Sequence, residues 1–346
     1  MSHERYIVNK TSFEMFDAFR AYGLASILGG REEVKVRIRD VGYAFWIDAT
    51  GDVPKSPNPM LFEDTRGWVR IFGTYRERKD SKKKHPRKEV EELVAHNYDK
   101  ILEIHGRTDF VPTIGRQVKD GKTLYQSLDV SAAKGYREEK RDVYHEGTQL
   151  EVDKYSWAVA CIGAAWSGVW PPWGESFIIG LVPNPFDVML ISHRTIQNDL
   201  DTKVCTISAN TALIHYSIRL AILISERQLS HRVKYDSVIF NVMKKTGRQP
   251  KPGGGGKYGL NFLENLAKTS AGVSALKEID RKFPLSSYTK GIKQSLALTL
   301  TDFLMHPDLE NFRAFESLYI RGQIDRKFYP WEKDQLEEIL NHVEVA

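Results

Sequence analysis

The chain has 346 residues, 41% hydrophobic and 27% charged, with 16 Phe, 15 Tyr and 7 Trp, a balance that excludes a wholly disordered chain, a collagen and an extended coiled coil. Its two cysteines, Cys161 and Cys205, supply neither a disulfide framework nor a four-cysteine zinc site, and no stretch approaches a signal-type core or the ~18 apolar residues of a membrane helix, so a cytoplasmic, membrane-free protein of about two domains is expected. The net charge of +5 is unevenly placed: residues 76 to 88 carry +6 and residues 237 to 263 carry +5, leaving −6 on the other 306.

In chain order, SFEMFDAFRAYGLASIL places Phe13, Phe16, Phe19, Leu24, Ile27 and Leu28 at helical spacing, with Thr11 and Ser12 as capping residues and Gly29-Gly30 as the stop. VKVRIRD and YAFWIDAT, separated by Val41-Gly42, read as a β-hairpin packed on that helix, so the chain is expected to open with a helix and then a hairpin. Residues 50 to 64 carry three prolines and read as loop, and GWVRIFGTY reads as a strand entering the first basic run. After Pro86, the period through Val90, Leu93, Val94, Ile101 and Ile104 predicts a surface helix.

Residues 107 to 150 are polar and interrupted by glycine, and read as loop with short elements. YSWAVACIGAAWSGVW, apolar on almost every side and stopped by Pro171-Pro172, predicts a buried helix with Trp157, Trp166 and Trp170 in the core and Trp173 in an exposed turn. FIIGLVPNPFDVMLIS predicts two strands joined by a turn at Pro183-Asn184-Pro185. CTISANTALIHYSIRLAILISERQL is a long helix with a broad apolar face, and YDSVIFNVMKK is the last strand of this body. TGRQPKPGGGGKYG, with two prolines and four consecutive glycines, reads as a flexible basic connection. Every segment after it has helical spacing. The expected fold is α+β: a mixed α/β body with an antiparallel sheet over 1–245, a basic Gly-rich hinge loop over 246–258, and a C-terminal helical bundle over 259–346.

Motifs for common chemistry are missing. GGGGKYG fails as a phosphate-binding loop because Lys251 replaces the first glycine and Tyr258 the Ser or Thr, and no dinucleotide fingerprint, nucleophile elbow or H-E-x-x-H is present. Asp302 and His306 lie four apart with Asp308 beyond, a metal-ligand spacing that also fits a histidine ending a helix. His145-Glu146 and His193-Arg194 are isolated polar pairs, and Cys205 precedes a helix as a nucleophile or as packing. No catalytic residue, metal or cofactor is assigned.

The charge carries the functional reading. Arg76, Arg78, Lys79, Lys82, Lys83, Lys84, Arg87 and Lys88 in the first run, and Lys244, Lys245, Arg248, Lys251 and Lys257 in the second, are placed to neutralise phosphates, unless they only keep surface loops solvated. Gly253, Gly254, Gly255 and Gly256 let a backbone approach a phosphate closely, and the amides of Gln249 and Asn241 are able to read base edges.

FDAFRAYGLASIL leading into VKVRIRDVGYAFWID, together with DFLMHPDLENFRAFESLYIRG near the end, resembles the large subunits of type I CRISPR Cascade complexes, the Cas-eight family. The resemblance covers about 60 residues and the order of an α/β body before a helical bundle, and the zinc-binding cysteines of some branches are missing. It implies a non-catalytic, antiviral-defence subunit of an RNA-guided ribonucleoprotein that recognises the target-adjacent motif and stabilises the R-loop. Its partners would be guide RNA, target double-stranded DNA, other Cascade subunits, and a helicase-nuclease or transposition module. It also implies a small-subunit-like bundle and, as in related members, an internal start, for which Met243 is the candidate. The competing expectations are a nucleic-acid-processing enzyme using Asp302, His306 and Asp308, and a structural scaffold.

Overall fold

A computed structural model describes residues 2–29, 34–63, 67–68, 71, 86–132, 137–138, 143–144, 150–171, 177–246, 249–285, 289–324 and 333–343. The chain opens with a strand that the sequence did not announce, β1 (His3–Asn9), and only then enters helix α1 (Glu14–Leu28) and the expected hairpin β2 (Lys35–Asp40) and β3 (Ala44–Thr50). β1 and β2 lie on either side of β3, both antiparallel to it, so α1 is the crossover of a split β-α-β unit. Val36 and Ile38 of β2 and Phe45, Ile47 and Ala49 of β3 share one buried core with α1, while Lys35, Arg37 and Arg39 turn to the other side. The cap of α1 also differs from expectation. Neither Thr11 nor Ser12 caps the helix from above; instead Asp17 reaches back, its carboxylate accepting from the Thr11 N–H at 2.7 Å and the Thr11 hydroxyl at 2.9 Å.

Residues 51 to 58 are irregular as expected and end in a 3-10 turn (Pro59–Phe62) capped by Asn58. Gly67, Trp68 and Ile71 are helical, which replaces the strand expected of GWVRIFGTY. The following helical pattern breaks at Asn97 into α2 (Pro86–His96) and α3 (Tyr98–His105), whose Val90, Val94 and Ile101 are fully buried rather than facing the surface. Short strands follow, of which β4 (Ile114–Gly115) and β5 (Lys122–Thr123) flank the later β8 (Glu151–Val152), and β6 (Arg137–Glu138) pairs with β7 (Val143–Tyr144).

Helix α4 (Lys154–Ser167) is buried on almost every side, as its composition demands, and contributes Trp157 to the core. It meets α1 backbone to backbone: a Cβ on Gly163 would fall 1.8 Å from the Phe19 carbonyl oxygen, and one on Gly23 would fall 1.8 Å from that of Val159.

The segment with two prolines is one continuous strand, β9 (Phe177–Met189), rather than two strands joined by a turn. It lies inside the six-stranded sheet β1-β3-β2-β9-β10-β11, an unusual position for proline. Local geometry explains the tolerance. The Pro183 carbonyl accepts from the Tyr22 hydroxyl at 2.9 Å, so the side of the backbone that lacks a donor faces away from β10. β2 pairs with β9 only over Asp187 to Met189, and the β10 register shifts around Tyr235 opposite Pro185.

Helices α5 (Leu190–Asp199) and α6 (Ala209–Glu226) lead into β10 (Val233–Thr246) and β11 (Gln249–Gly259). Residues 249–259 are therefore the edge strand of the main sheet and not a hinge loop. The C-terminal part is helical, with α7 (Asn261–Leu266), α8 (Ser270–Lys282), α9 (Ile292–Met305), α10 (Leu309–Ile324) and α11 (Lys333–Asn341), giving the expected α+β class. The same apolar core runs from Phe16 through Leu213 and Leu276 to Leu300 and Ile339, so these helices share it with the sheet. Polar joints reinforce the seam: Tyr258 Oη donates to the Leu304 carbonyl at 2.7 Å, and His215 Nε2 and Arg219 Nε both bond Asp280 Oδ1 at 2.7 Å. None of the described helices is long and apolar enough to cross a membrane.

Candidate nucleic-acid interface

β10 is a β-branched run whose length exceeds that of its neighbour. β9 accompanies it as far as Phe177 opposite Lys244; beyond that, β10 pairs only with β11, as Lys245 with Pro250 and Thr246 with Gln249. The end of the sheet is thus a two-stranded ribbon. In the last three-stranded row Lys244 stands directly across from Lys251, and both side chains are exposed. No carboxylate among the described residues pairs with either. Like charges in directly opposed positions repel, and this pair keeps the ribbon end strongly positive. Lys245 and Gln249 are placed in the ribbon by their backbones, and Arg248 lies outside the described residues. Lys257 is set apart from this group. It sits lower on β11, where its ammonium reaches Glu14 Oε1 at 2.8 Å, so part of its charge is already matched.

Gly256, Gly255 and Gly254 stand opposite Phe240, Asn241 and Val242, and Gly253 is the residue skipped where the register shifts. Two are required by the fold itself. Gly254 has φ +112°, and a Cβ on Gly255 would lie 2.5 Å from the side-chain amide of Asn241 and 2.9 Å from the Phe240 carbonyl. Gly253 is also tight, at 3.0 Å from Val242, whereas Gly256 would make only ordinary contact. Asn241 is not available to read bases: it is buried, and its amide is satisfied by accepting from the Val130 N–H and donating to the Phe240 carbonyl, both at 3.0 Å.

The first basic run is only partly described. Arg76, Arg78, Lys79, Lys82, Lys83 and Lys84 fall outside the described residues, Lys88 is exposed, and Arg87 is half-buried with its Nη1 donating to the Phe62 carbonyl at 2.8 Å. Arg87 is therefore a tether of α2 as well as a charge. Trp173 and His145-Glu146 also lie outside the described residues.

Groups that spacing marked as reactive are occupied otherwise. His306 ends α9, its N–H donating to the Asp302 carbonyl at 3.0 Å, and Asp308 caps α10 by accepting from the Asn311 N–H at 2.8 Å. Among the described residues no group of three His, Cys, Asp or Glu side chains is placed to hold a metal. Cys161 and Cys205 are buried, and burial pushes the Cys205 thiol up to about 11, which suits packing rather than nucleophilic attack. His193 is not isolated: it bonds the Tyr235 hydroxyl at 2.8 Å and the Ser167 hydroxyl at 2.9 Å and stacks on Tyr22, and burial pushes it down to about 3.

One charged surface escaped the sequence reading although its signal was present in the alternation of VKVRIRD. On the sheet face opposite α1, Arg5 of β1, Trp46 and Asp48 of β3, and Arg37 and Arg39 of β2 fall in adjacent rows, Arg5 and Arg37 both opposite Asp48, and Arg39 opposite Trp46. Arg5 Cζ lies 4.2 Å and Arg39 Cζ 5.7 Å from the Trp46 ring centre. The two guanidinia share the buried Asp48, Arg5 Nε at 2.7 Å from Oδ1 and Arg39 Nη2 at 2.5 Å from Oδ2. Burial would raise the Asp48 carboxyl, but the hydrogen bonds from Arg5 and Arg39 together outweigh it and hold the group below its usual range.

The chain matches no protein-family model. It is similar to an uncharacterized protein of Archaeoglobus fulgidus, 26% identical over 356 aligned residues that cover 99% of each chain.

Proposed function

We propose that the chain is a nucleic-acid-binding protein without chemistry of its own, which engages the phosphate backbone of duplex DNA with the basic end of the β10–β11 ribbon. The supporting observation is the exposed Lys244–Lys251 pair, two ammonium groups in register that no carboxylate among the described residues pairs with, an arrangement that costs the free protein stability and that a polyanion relieves. A two-stranded ribbon also has the width to enter a major groove. On the resemblance to Cascade large subunits, this contact would lie within an RNA-guided complex, where the ribbon would hold the duplex beside the target while guide RNA pairs with the opened strand. The helix-then-hairpin order of α1, β2 and β3 and the helical C-terminal part agree with that reading. Met243 is buried near the end of β10, three residues before Thr246, so translation from an internal start there would cut most of that strand away from β11.

The test is the salt dependence of binding to a labelled DNA duplex, read by fluorescence anisotropy. If Lys244, Lys245, Arg248 and Lys251 each neutralise one phosphate, the slope of log K against log salt is about −3.6, or roughly 150-fold weaker binding from about 50 to 200 mM salt. The Lys244→Ala, Lys251→Ala variant is expected to halve that slope, leaving a loss of roughly 12-fold over the same range. An unchanged slope in the double variant removes the ribbon as the contact.

A further inference from the structure

We infer that the outer sheet face built on β1, β3 and β2 is a second, separate nucleic-acid site, which takes single strands by laying bases on the guanidinium planes of Arg5 and Arg39 and phosphates on their outward N–H groups. The inference rests on the nucleic-acid reading above but uses none of the ribbon's residues.

The geometry is layered. Asp48 lies at the bottom, its side chain 8% exposed, and fixes both guanidinia through hydrogen bonds. Trp46 lies between the two arginine-bearing strands, so each cation is held over or beside an aromatic ring as well as on a carboxylate. Such doubly anchored guanidinia have lost most of their freedom before a ligand arrives, which lowers the cost of binding. They are not buried by it: the side chains of Arg5, Arg37 and Arg39 remain 38%, 49% and 37% exposed. Each also keeps unused donors. Of five N–H groups per guanidinium, Arg5 commits its Nε to Asp48, Arg39 its Nε and Nη2 to Asp48, and Arg37 its Nε and Nη2 to Asp187.

Charge selects an anion. Among the described residues, Lys35, Arg5, Arg37 and Arg39 line the face against two carboxylates, Asp48 and Asp187, a positive balance. Shape selects unpaired bases. A sheet face topped by planar groups offers stacking, which a duplex, with its base faces closed, does not use and a single strand does. An acidic peptide would match the charge but leave the planar layer without a function.

The experiment uses the full chain and a fluorescein-labelled oligothymidylate longer than about 16 nucleotides, enough to fill one site. Changing Arg5→Lys and Arg39→Lys together keeps the charge opposite Asp48 and removes the planar surfaces. Single-strand affinity is expected to fall about tenfold or more, while duplex binding through the ribbon is unchanged. As a second variant that leaves the stack intact, Arg37→Gln is expected to make the single-strand salt slope shallower by about 0.7. No binding of the oligothymidylate by the native chain, or equal affinity in the Arg5→Lys, Arg39→Lys variant, overturns the inference. Failure of the ribbon assignment shows separately, as duplex binding indifferent to Lys244 and Lys251.

Discussion

Replacing Gly163 with alanine drives a methyl group into the point where α1 and α4 touch. The added Cβ would lie 1.8 Å from the Phe19 carbonyl oxygen and 2.7 Å from its carbonyl carbon, where ordinary contact begins near 3.4 Å. Both partners are helix backbone, so no side chain swings away, and the two helices must part by about 1.6 Å at the crossing. Overpacking of this kind costs about 3 kcal/mol at the upper end of its usual range. Parting the helices also thins the contacts around Phe16, Phe19 and Val159, all fully buried, and a gap of about 1 Å forfeits up to half of each contact's attraction. Alanine returns about 1 kcal/mol through helix propensity. The net expectation is a loss of about 2–4 kcal/mol, read as a lower urea midpoint with unchanged slope. Gly259→Ala serves as the control, since nothing lies within 4 Å of its added Cβ. A Gly163→Ala midpoint within about 0.5 kcal/mol of the native one would show that the helices are not locked backbone to backbone.

Stability should fall in acid with a sign set by buried histidines. Burial holds His105 and His193 neutral, pushed down to about 3, so below pH ~6.5 the unfolded chain takes up protons that the folded chain refuses, and each group costs about 1.4 kcal/mol per pH unit. Asp129 opposes them, because burial pushes it up to about 6 and the folded chain then gains a proton first. Between pH 6.5 and 4.5 the balance is a loss of roughly 3 kcal/mol, measurable by urea unfolding at both pH values; equal midpoints would exclude buried neutral histidines. Asp280→Ala leaves the buried His215 Nε2 without its acceptor, while Arg219 keeps Asp201 at 3.2 Å and the Lys203 carbonyl, so with Asp280 one quarter exposed the expected loss is about 1–3 kcal/mol. Hydrogen exchange should quicken in α6 and α8 together, and faster exchange confined to α8 would contradict a shared core.

What the sequence revealed and what it hid follow from how local each determinant is. α1, α4 and the β2–β3 hairpin were legible because their apolar periods are set within a few residues, as in Val36 and Ile38 alternating with Arg37 and Arg39. β1 was hidden because His3, Glu4 and Arg5 are polar, and Tyr6 and Val8 become core residues only once β3 supplies the partner. β11 was hidden by composition. Two prolines and four glycines argue against any element, but an edge strand needs hydrogen bonds on only one side, and β10 is a β-branched strand that requires a neighbour there. The charge of the same segment was legible, but not that Lys244 and Lys251 stand exposed while Asn241 is buried and Lys257 is paired with Glu14, because charge is visible in sequence while burial and ion pairing are not.

The main sheet has a consequence for synthesis. Its first three strands end at residue 50, and the strand that covers β2 begins at residue 177. At about 5–20 residues per second, a nascent chain carries β2 as an open edge for roughly 7–30 s before Phe177 to Met189 can close it. During that interval Arg37 and Arg39 guard the exposed edge, since charged side chains discourage pairing with a neighbouring nascent chain. The arginines that crown the finished sheet thus also protect the half-made one.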